Sequence, residues 1–441
     1  MGNEAGGSGP FAGFCRRSAL CHSSPVLGGP RRSVVMSKRA PRILIYSHDS
    51  FGLGHLRRCR TIAHALVETH KDLQVLILSG SPIIGNFDFR SRVDFIRVPG
   101  VIKLRNGEYT SLNLHIDTEQ VLQLRASIMR HTAEIFDPDL FLVDKEPLGL
   151  RGDVRDTLLD LKGRGVPCVL GLRDVMDEPS LLAPEWERKN AVAALRDLYD
   201  EIWVYGLPQI CEPLAGIDLP KSVRRKIYYT GYLKRTLPKL HIPPTPLLKI
   251  SDPFILVTTG GGGDGEAVID WVLRAYEEDR RLPYPALLVL GPFMQSERQA
   301  EFLTRAARLK MVEAITFDAQ LEHLVARSVG VVAMGGYNTF CEILSFDKPA
   351  LILPRTRPRM EQFIRAERAR ELGLVRVLHQ DAPDDARTMA TALRDLPQQP
   401  PPSAVVVPGL LDGLPNADRL VSRLLARGRR PALRLAGGRQ R

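Results

Sequence analysis

A glycine-rich turn that carries a histidine is the first stretch of this 441-residue sequence whose residues could do chemistry. Residues 47–59 read Ser-His-Asp-Ser-Phe-Gly-Leu-Gly-His-Leu-Arg-Arg-Cys, between an apolar run and a helical pattern. Gly52 and Gly54 let a ligand approach the backbone closely, and the free amides of a helix N-terminus attract an anion. His55, as a neutral imidazole, can take a proton from a hydroxyl or a water. The alternative without function is a tight turn with a capping histidine.

A second glycine-rich junction comes later in the chain. Residues 258–266 read Thr-Thr-Gly-Gly-Gly-Gly-Asp-Gly-Glu, after an apolar run and before a helical pattern. Glycines at such a junction expose consecutive backbone amides to a phosphate or diphosphate. The stretch is not a Walker loop, because no Gly-Lys-Ser/Thr follows. We expect a diphosphate contact here, with a flexible surface loop as the alternative.

A third junction combines glycines with polar side chains. Residues 333–342 read Ala-Met-Gly-Gly-Tyr-Asn-Thr-Phe-Cys-Glu, so Asn338 and Thr339 offer donors near a helix N-terminus. Glu342 lies one helical turn after Asn338, on the same face. A carboxylate there can accept both hydroxyls of a ribose, as acids do in Rossmann folds. The alternative for Glu342 is helix capping or an ordinary i,i+4 pair.

A fourth polar segment follows the apolar residues 350–353 and Pro354. The loop 355–360 leads into Glu361-Gln362 at the start of a helical pattern, where both side chains could hydrogen-bond to a sugar. The three arginines of the loop could equally form a solvated basic surface.

The elements that must position these motifs alternate between strands and helices. Candidate strands occupy residues 42–47, 74–79, 94–98, 140–143, 169–172, 202–205 and 226–230, and then 254–258, 286–290, 314–317, 330–333, 350–353 and 375–378. Their continuous apolar character predicts parallel strands that are buried on both faces. The sequence therefore predicts an α/β protein with two doubly wound parallel sheets, whose carboxyl edges face across a ligand-binding cleft.

Proline-rich stretches suggest where the chain divides. We predict an N-terminal extension (1–41). It is disordered, precedes the true start at Met36, or acts as a transit peptide. The remaining segments are a first Rossmann-like domain (42–237), a Pro-rich linker (238–253), a second such domain (254–396), a Pro-rich segment with a C-terminal helix (397–426) and a basic tail (427–441).

The formal charge of +11 is concentrated at the two ends of the chain. Residues 1–41 carry a net +5 and residues 427–441 a net +6, so the body between them is balanced. The basic ends could contact an anionic membrane peripherally, although solvated tails are the simpler interpretation. Aromatic residues are not interleaved with these charges, which argues against nucleic acid as a partner.

Cysteine usage and hydropathy indicate the compartment. The six cysteines are scattered without a Cys-x-x-Cys pair, which favours neither a zinc site nor a disulfide framework. No apolar run approaches the ~20 residues of a membrane span. We predict a cytoplasmic protein, peripheral at the membrane at most, that needs no cofactor and no metal.

In their order along the chain, the four motifs resemble those of glycosyltransferase family 28 and its relatives, which include the N-acetylglucosaminyltransferase that forms lipid II. The resemblance covers residues 42–395 and is most specific from Gly335 to Glu342. It implies the GT-B fold, a nucleotide-sugar donor with UDP expected, and transfer of a hexosyl group to an unidentified acceptor without a metal.

The same resemblance assigns roles to individual residues. It implies His55 as the catalytic base, with Gly52 and Gly54 on the acceptor side. It places Phe317 near the nucleoside and Glu342 at the ribose. Glu361 and Gln362 would contact the donor sugar. The residues implied to hold the diphosphate are Gly261, Gly262, Gly263, Gly265, Gly335, Gly336, Asn338 and Thr339.

Departures from the family pattern keep other functions open. Met334 stands where the family has an arginine, and Met360-Glu361-Gln362 replaces Asp/Asn-Gln-Gln, so the donor sugar stays open. The stretch Gly-Leu-Gly-His-Leu-Arg-Arg-Cys is similar to the UDP-sugar hydrolase of pseudaminic acid synthesis. The alternatives are therefore a UDP-sugar hydrolase, a nucleotide-sugar epimerase and a non-catalytic nucleotide-sugar-binding protein. Secondary candidates for the base are Asp144, Glu146 and Asp174.

Overall fold

The structure is a computed structural model, and it describes residues 39–48, 54–103, 109–237, 249–250, 252–261, 263–379 and 385–428. The strands are β1 (Arg42–Ser47), β2 (Gln74–Ser79), β3 (Val93–Arg97), β4 (Val101–Lys103), β5 (Tyr109–Ser111), β6 (Leu140–Asp144), β7 (Cys168–Arg173), β8 (Glu201–Tyr205), β9 (Ile227–Tyr229), β10 (Ile255–Thr258), β11 (Ala286–Val289), β12 (Val312–Ile315), β13 (Gly330–Ala333), β14 (Ala350–Ile352) and β15 (Arg376–Val377).

Helices fill most of the connections between these strands. They are α1 (Gly54–Thr69), α2 (Thr118–Phe136), α3 (Arg155–Gly163), α4 (Pro179–Arg188), α5 (Ala191–Asp197), α6 (Lys221–Arg224), α7 (Glu266–Glu278), α8 (Ser296–Ala307), α9 (Leu321–Arg327), α10 (Tyr337–Ser345), α11 (Glu361–Glu371), α12 (Ala386–Asp395) and α13 (Gly413–Arg427). None of the helices in the described part of the chain is long and apolar enough to cross a membrane.

The long strands form two parallel sheets, as the sequence predicts. The first sheet has the order β3-β2-β1-β6-β7-β8-β9, and the second has the order β12-β11-β10-β13-β14-β15. In each sheet the order reverses beside its first strand, β1 or β10. Loops at such a reversal leave a crevice at the carboxyl edge of the sheet. The predicted class, an α/β protein with two doubly wound parallel sheets, is confirmed.

Both faces of the central strands are buried, which explains their continuous apolar sequence. In β1, Ile43 and Ile45 belong to one hydrophobic core, whereas Leu44 and Tyr46 belong to another on the opposite face. Side chains alternate between the two faces of a strand. A strand with helices on both faces therefore needs apolar residues at every position.

One hydrophobic core is shared between the two halves of the chain. Trp203 from the first sheet, Leu256 from the second and Leu424 from α13 all belong to it. Helix α13 packs on α1, where His70 Nε2 lies 2.9 Å from Asp418 Oδ1. The end of the chain thus returns to the first half.

Sequence reasoning differs from the structure in two elements. The strand predicted at 314–317 is β12, which begins and ends two residues earlier. Phe317 leaves the sheet and packs edge-on against Phe87, with ring centroids 6.3 Å apart. The antiparallel pair β4–β5 was missed, because strands of three residues show no clear alternation. The domain boundaries stay a prediction, and both basic ends lie almost entirely outside the described residues.

Candidate functional site

A cavity of about 340 Å³ lies between loops of the two halves, within the usual size range of ligand pockets. Its lining comes from the ends of β1, β6 and β7 in the first half and of β10 and β13 in the second. The predicted site residues that line it are Gly54, His55, Gly261, Phe317, Gly336, Asn338, Thr339, Glu361 and Gln362. Gly263, Gly265, Gly335 and Glu342 are not in the lining, and Gly52 and Gly262 lie outside the described residues.

A histidine–aspartate pair lies on the first-half wall of the cavity. Strands β1 and β6 are neighbours, so the first turn of α1 meets the end of β6. His55 Nδ1 lies 2.5 Å from Asp144 Oδ2. The side chain of His55 is 17% exposed and that of Asp144 is 3% exposed, so the carboxylate lies behind the ring.

Arg58 keeps the carboxylate of Asp144 in this pair ionised. It donates from Nε to Asp144 Oδ1 at 2.8 Å and from Nη2 to Oδ2 at 2.7 Å. Burial alone would raise the pKa of Asp144, but the charges of Arg58 and His55 hold it well below its usual range. Because an ionised carboxylate has no proton to give, we assign the proton of the short contact to His55 Nδ1, which also lies 3.0 Å from Arg58 Nη2. Nε2 of the neutral ring is then the proton acceptor.

Burial also keeps this histidine neutral. It lowers the pKa of His55 to about 4, despite the attraction of Asp144 for the charged form. A histidine on a cavity wall that is neutral at physiological pH and fixed in one tautomer can serve as a general base.

The turn after β10 needs glycine for backbone conformation and for packing. Gly260 has φ +68°, in the left-handed region. A Cβ on Gly265 would lie 2.2 Å from the Cβ of Thr259, whose hydroxyl donates to Leu290 O at 2.7 Å. Gly265 therefore packs closely against Thr259 outside the cavity lining, whereas Gly261 lines the cavity.

The junction after β13 uses its two glycines differently. Gly335 has φ +79°, and a Cβ there would lie 2.8 Å from Ile352 Cγ2. Its carbonyl accepts a hydrogen bond from Arg365 Nη1 at 2.9 Å. A Cβ on Gly336 would meet nothing within 4 Å, so this residue leaves space in the cavity in front of the N-terminus of α10.

Asn338 connects the halves beside that junction. Its Nδ2 donates to Gly54 O at 3.0 Å, and its Oδ1 accepts from Arg235 Nη2 at 2.7 Å. The first turn of α1, which carries the histidine, is thus joined by a direct hydrogen bond to α10, which begins in the third motif.

Glu342 lies behind the cavity rather than on its wall. It is fully buried and its Oε1 accepts from Arg57, which also donates to Glu322 Oε1 at 3.1 Å. Burial raises the pKa of Glu342 to about 7, since Arg57 does not offset the desolvation and Glu322 adds a second negative charge. Among the described residues, Glu342 Oε2 has no hydrogen-bond partner.

The polar pair at the start of α11 is held by one arginine of the preceding loop. Arg355 donates from Nη2 to Glu361 Oε1 at 2.8 Å and from its backbone N to Gln362 Oε1 at 3.3 Å. Burial alone would raise the pKa of Glu361. The charges of Arg173 and Arg355 outweigh burial, so the pKa lies below its usual value. Arg355 and Arg359 line the cavity and form ion pairs, so they are not solvated loop residues.

Sequence reasoning missed several cationic residues of the site. Arg57, Arg58, Lys145 and Arg173 line the cavity. Their signal was weak, because an arginine after a glycine turn or a cation at a strand end is common on protein surfaces. Asp174, a secondary candidate for the base, binds Arg365 instead. Among the described residues, no group of three or more His, Cys, Asp or Glu side chains could hold a metal ion.

Solved structures resemble the whole molecule. The calicheamicin glycosyltransferase CalG4 has a TM-score of 0.55 at 17% identity, over 91% of this chain and 100% of that one. Medicago truncatula UGT71G1 complexed with UDP-glucose scores 0.54 at 14% identity, over 87% and 98%. Acinetobacter baumannii MurG scores 0.51 at 13% identity, over 88% and 99%. The chain has the GT-B fold.

This GT-B chain is distant from known families in sequence. No family model matches it, and no curated protein matches it. TM-scores of 0.51–0.55 show a common fold, whereas at identities of 13–17% function has to be argued from the site itself.

Proposed function

We propose that the chain is a glycosyltransferase that moves a hexosyl group from a nucleotide-sugar, with UDP as the expected nucleotide, to an acceptor hydroxyl. The observation that carries the proposal is the neutral His55, oriented by the ionised Asp144, in a cavity that also contains two glycine-rich strand-to-helix junctions. A base opposite two phosphate-binding turns is the arrangement that transfer from a nucleotide-sugar requires.

The donor would bind with its diphosphate at the second-half junctions. Gly261 and Gly336 line the cavity there, and α10 begins at Tyr337. Free amides at a helix N-terminus and in glycine turns stabilise phosphate charge, including the charge that develops on a leaving diphosphate. Gly262, Gly263, Gly265 and Gly335 would shape these turns.

The nucleoside would lie toward Phe317, which lines the cavity. Glu342 has a buried carboxylate oxygen that lacks a partner among the described residues, and such an oxygen is costly unless a ligand satisfies it. We propose that it accepts the ribose hydroxyls once Arg57, which lies on the cavity wall, turns aside. Glu361 and Gln362 would contact the donor sugar.

The chemical step follows from this arrangement. His55 Nε2 takes the proton of the acceptor hydroxyl while its oxygen forms a bond to the anomeric carbon. The bond from that carbon to the diphosphate oxygen breaks, and the nucleoside diphosphate leaves with the electron pair. Asp144 stabilises the imidazolium that forms.

The pH dependence of turnover tests the state of the base. With donor and acceptor saturating, kcat is expected to stay constant from neutral pH down to about pH 5 and to fall only as the pH approaches the pKa of His55, about 4. Turnover falls toward acid pH because the base works only when it is unprotonated. The lowered pKa leaves the ring unprotonated from neutral pH down to about pH 5. An acid limb centred at the ordinary histidine value of 6.5 would contradict it.

The two glycines of the third motif should separate binding from stability. Gly336→Ala adds a methyl group that clashes with nothing in the protein, so it should leave stability intact but weaken UDP binding at least about tenfold. Gly335→Ala meets Ile352 at a positive φ and should lower the free energy of unfolding by about 1–3 kcal/mol. Calorimetric titration and denaturation measure both. Unimpaired UDP binding by Gly336→Ala would remove that junction from the site.

Binding and product analysis test the proposed function directly. The chain is titrated with UDP, GDP and dTDP, and the sugar forms of the tightest nucleotide are then incubated with and without candidate acceptors. A transferase releases nucleotide faster when an acceptor is present and forms a glycoside. Free sugar released at the full rate without an acceptor would identify a hydrolase, and an isomerised donor would identify an epimerase. Nucleotide-sugar binding without any product would identify a binding protein.

A further inference from the structure

The cavity carries more positive charge than its paired residues account for. Of its cationic side chains, Arg57, Arg58, Arg355 and Arg359 each contact at least one carboxylate within hydrogen-bond distance. These four guanidinium groups are therefore neutralised inside the protein. The two other cationic side chains of the lining, Lys145 and Arg173, have fewer close partners among the described residues.

Arg173, at the end of β7, lacks a complete set of partners. Its Nε is buried and has no hydrogen-bond partner among the described residues. Burial lowers the pKa of Arg173 to about 10, because the opposing attraction of Glu361 is too weak to offset it. Glu361 itself already receives a hydrogen bond from Arg355. A buried guanidinium in this state is stabilised by an anionic ligand.

Lys145, the residue after β6, has an unfavourable backbone conformation. Its φ is +70°, in a region where glycine is easily accommodated and lysine is not. Its backbone N donates to Gly171 O at 2.7 Å, which fixes this conformation. Backbone strain of this kind is often found at functional sites, so the conformation of Lys145 is consistent with a functional role.

The carboxylate nearest to Lys145 is shared with another lysine. Glu146 Oε1 lies 3.6 Å from Lys145 Nζ, whereas Glu146 Oε2 accepts from Lys189 Nζ at 2.9 Å. Burial lowers the pKa of Lys145 to about 8, and the charge of Arg173 contributes in the same direction. The charges of Lys145 and Arg173 therefore repel each other, although Glu146 attracts Lys145 and Glu361 attracts Arg173.

We propose that Lys145 and Arg173 bind an anionic group, a carboxylate or a phosphate, on the acceptor substrate, at a subsite separate from the donor diphosphate. This inference rests on the proposed function and specifies its acceptor. Lys145 directly follows β6 and Arg173 is the last residue of β7. These two strands are neighbours, with Asp144 paired to Gly171 in their register.

The position of the pair favours the acceptor over the donor. Lys145 directly follows Asp144, which orients the proposed base, His55. Asp144, Lys145 and Arg173 all lie at the carboxyl ends of β6 and β7 in the first sheet. The glycine-rich junctions proposed for the diphosphate come from the second sheet. An anion held by Lys145 thus lies on the same side as the hydroxyl that gives its proton to His55.

Three small hydroxyl compounds test the subsite. Glycerol 3-phosphate, glycerate and glycerol are titrated into the full chain saturated with UDP, and binding is followed by saturation-transfer NMR. Glycerol 3-phosphate, glycerate or both should bind, and the tighter of them identifies phosphate or carboxylate as the group recognised. Glycerol should not bind. Lys145→Gly and Arg173→Met should each weaken binding of the anionic probe about tenfold or more.

Separate controls test the anion-binding subsite and the proposed function. Arg188→Met removes an exposed arginine of α4 outside the cavity lining. It lowers the net charge by as much as Arg173→Met does, and it should leave probe binding unchanged. The subsite would be overturned if the UDP-bound protein bound all three probes equally, or if it bound none of them. It would also be overturned if Lys145→Gly and Arg173→Met weakened UDP binding as much as probe binding. Failure of the wild-type chain to bind UDP would instead contradict the proposed function.

Discussion

Replacing His55 by alanine is expected to lower kcat by about 10²–10⁴-fold, the usual contribution of a general base, while UDP binding stays unchanged. The ring belongs to the first-half lining of the cavity and the proposed diphosphate junctions to the second-half lining. Its removal is therefore expected to take away the proton acceptor and no phosphate contact. Asp144→Asn should also lower kcat, because an amide does not stabilise the imidazolium formed during transfer. Steady-state kinetics and calorimetric titration with UDP measure the two effects separately.

A second histidine–aspartate pair provides the matched control. His70 and Asp418 join α1 to α13 with a contact of 2.9 Å, away from the cavity lining. His70→Ala should leave kcat unchanged. A loss of kcat in His70→Ala as large as in His55→Ala, or a large loss of UDP affinity in His55→Ala, would contradict the role of His55 as a base.

Replacing Asp174 by alanine is expected to lower the free energy of unfolding by about 3–5 kcal/mol, the cost of leaving a buried charge without its partner. Asp174 receives hydrogen bonds from Arg365 Nε at 2.7 Å and Nη2 at 2.6 Å, and from Tyr232 OH at 2.7 Å. The side chains of Asp174 and Arg365 are 0% and 1% exposed. Asp174 follows β7 and Arg365 lies on α11, so this pair joins the two halves.

A double-mutant cycle separates the pair from its surroundings. Arg365→Met combined with Asp174→Ala should cost less than the two single changes together, since neither charge is then left unpaired. Asp252→Ala breaks a similar two-bond contact with Arg327, but that pair is exposed and should contribute at most about 1 kcal/mol. Urea denaturation followed by tryptophan fluorescence gives the values. A loss for Asp174→Ala no larger than for Asp252→Ala would show that the interdomain pair contributes little.

Local sequence patterns contained most of the fold. Apolar runs of four to six residues, each followed by a turn and a helical pattern, identified the strands of both sheets, because most positions of a parallel strand that is covered on both faces are apolar. The glycine motifs could be placed at strand ends for the same reason. Motif and topology together predicted that His55 and Gly336 would share a cavity, and both residues line the cavity between the halves.

The missing part of the site depends on contacts that are distant in sequence. Asp144 and Arg58 are separated by 86 positions, and Arg57 and Glu342 by 285. No local pattern shows that Glu342 is fully buried behind an arginine, or that α13 returns to the first half. Whether Arg173 Nε finds a partner among the described residues likewise depends on which groups surround it, and the fold alone determines that.

The structure of the chain with bound UDP tests the central claim most directly, namely that the loops of both halves form one nucleotide-sugar site. The proposal predicts a diphosphate that accepts hydrogen bonds from the backbone around Gly261 and Gly336, with His55 and Lys145 on the facing wall. A UDP molecule on another surface, or one whose phosphates touch neither junction, would contradict it.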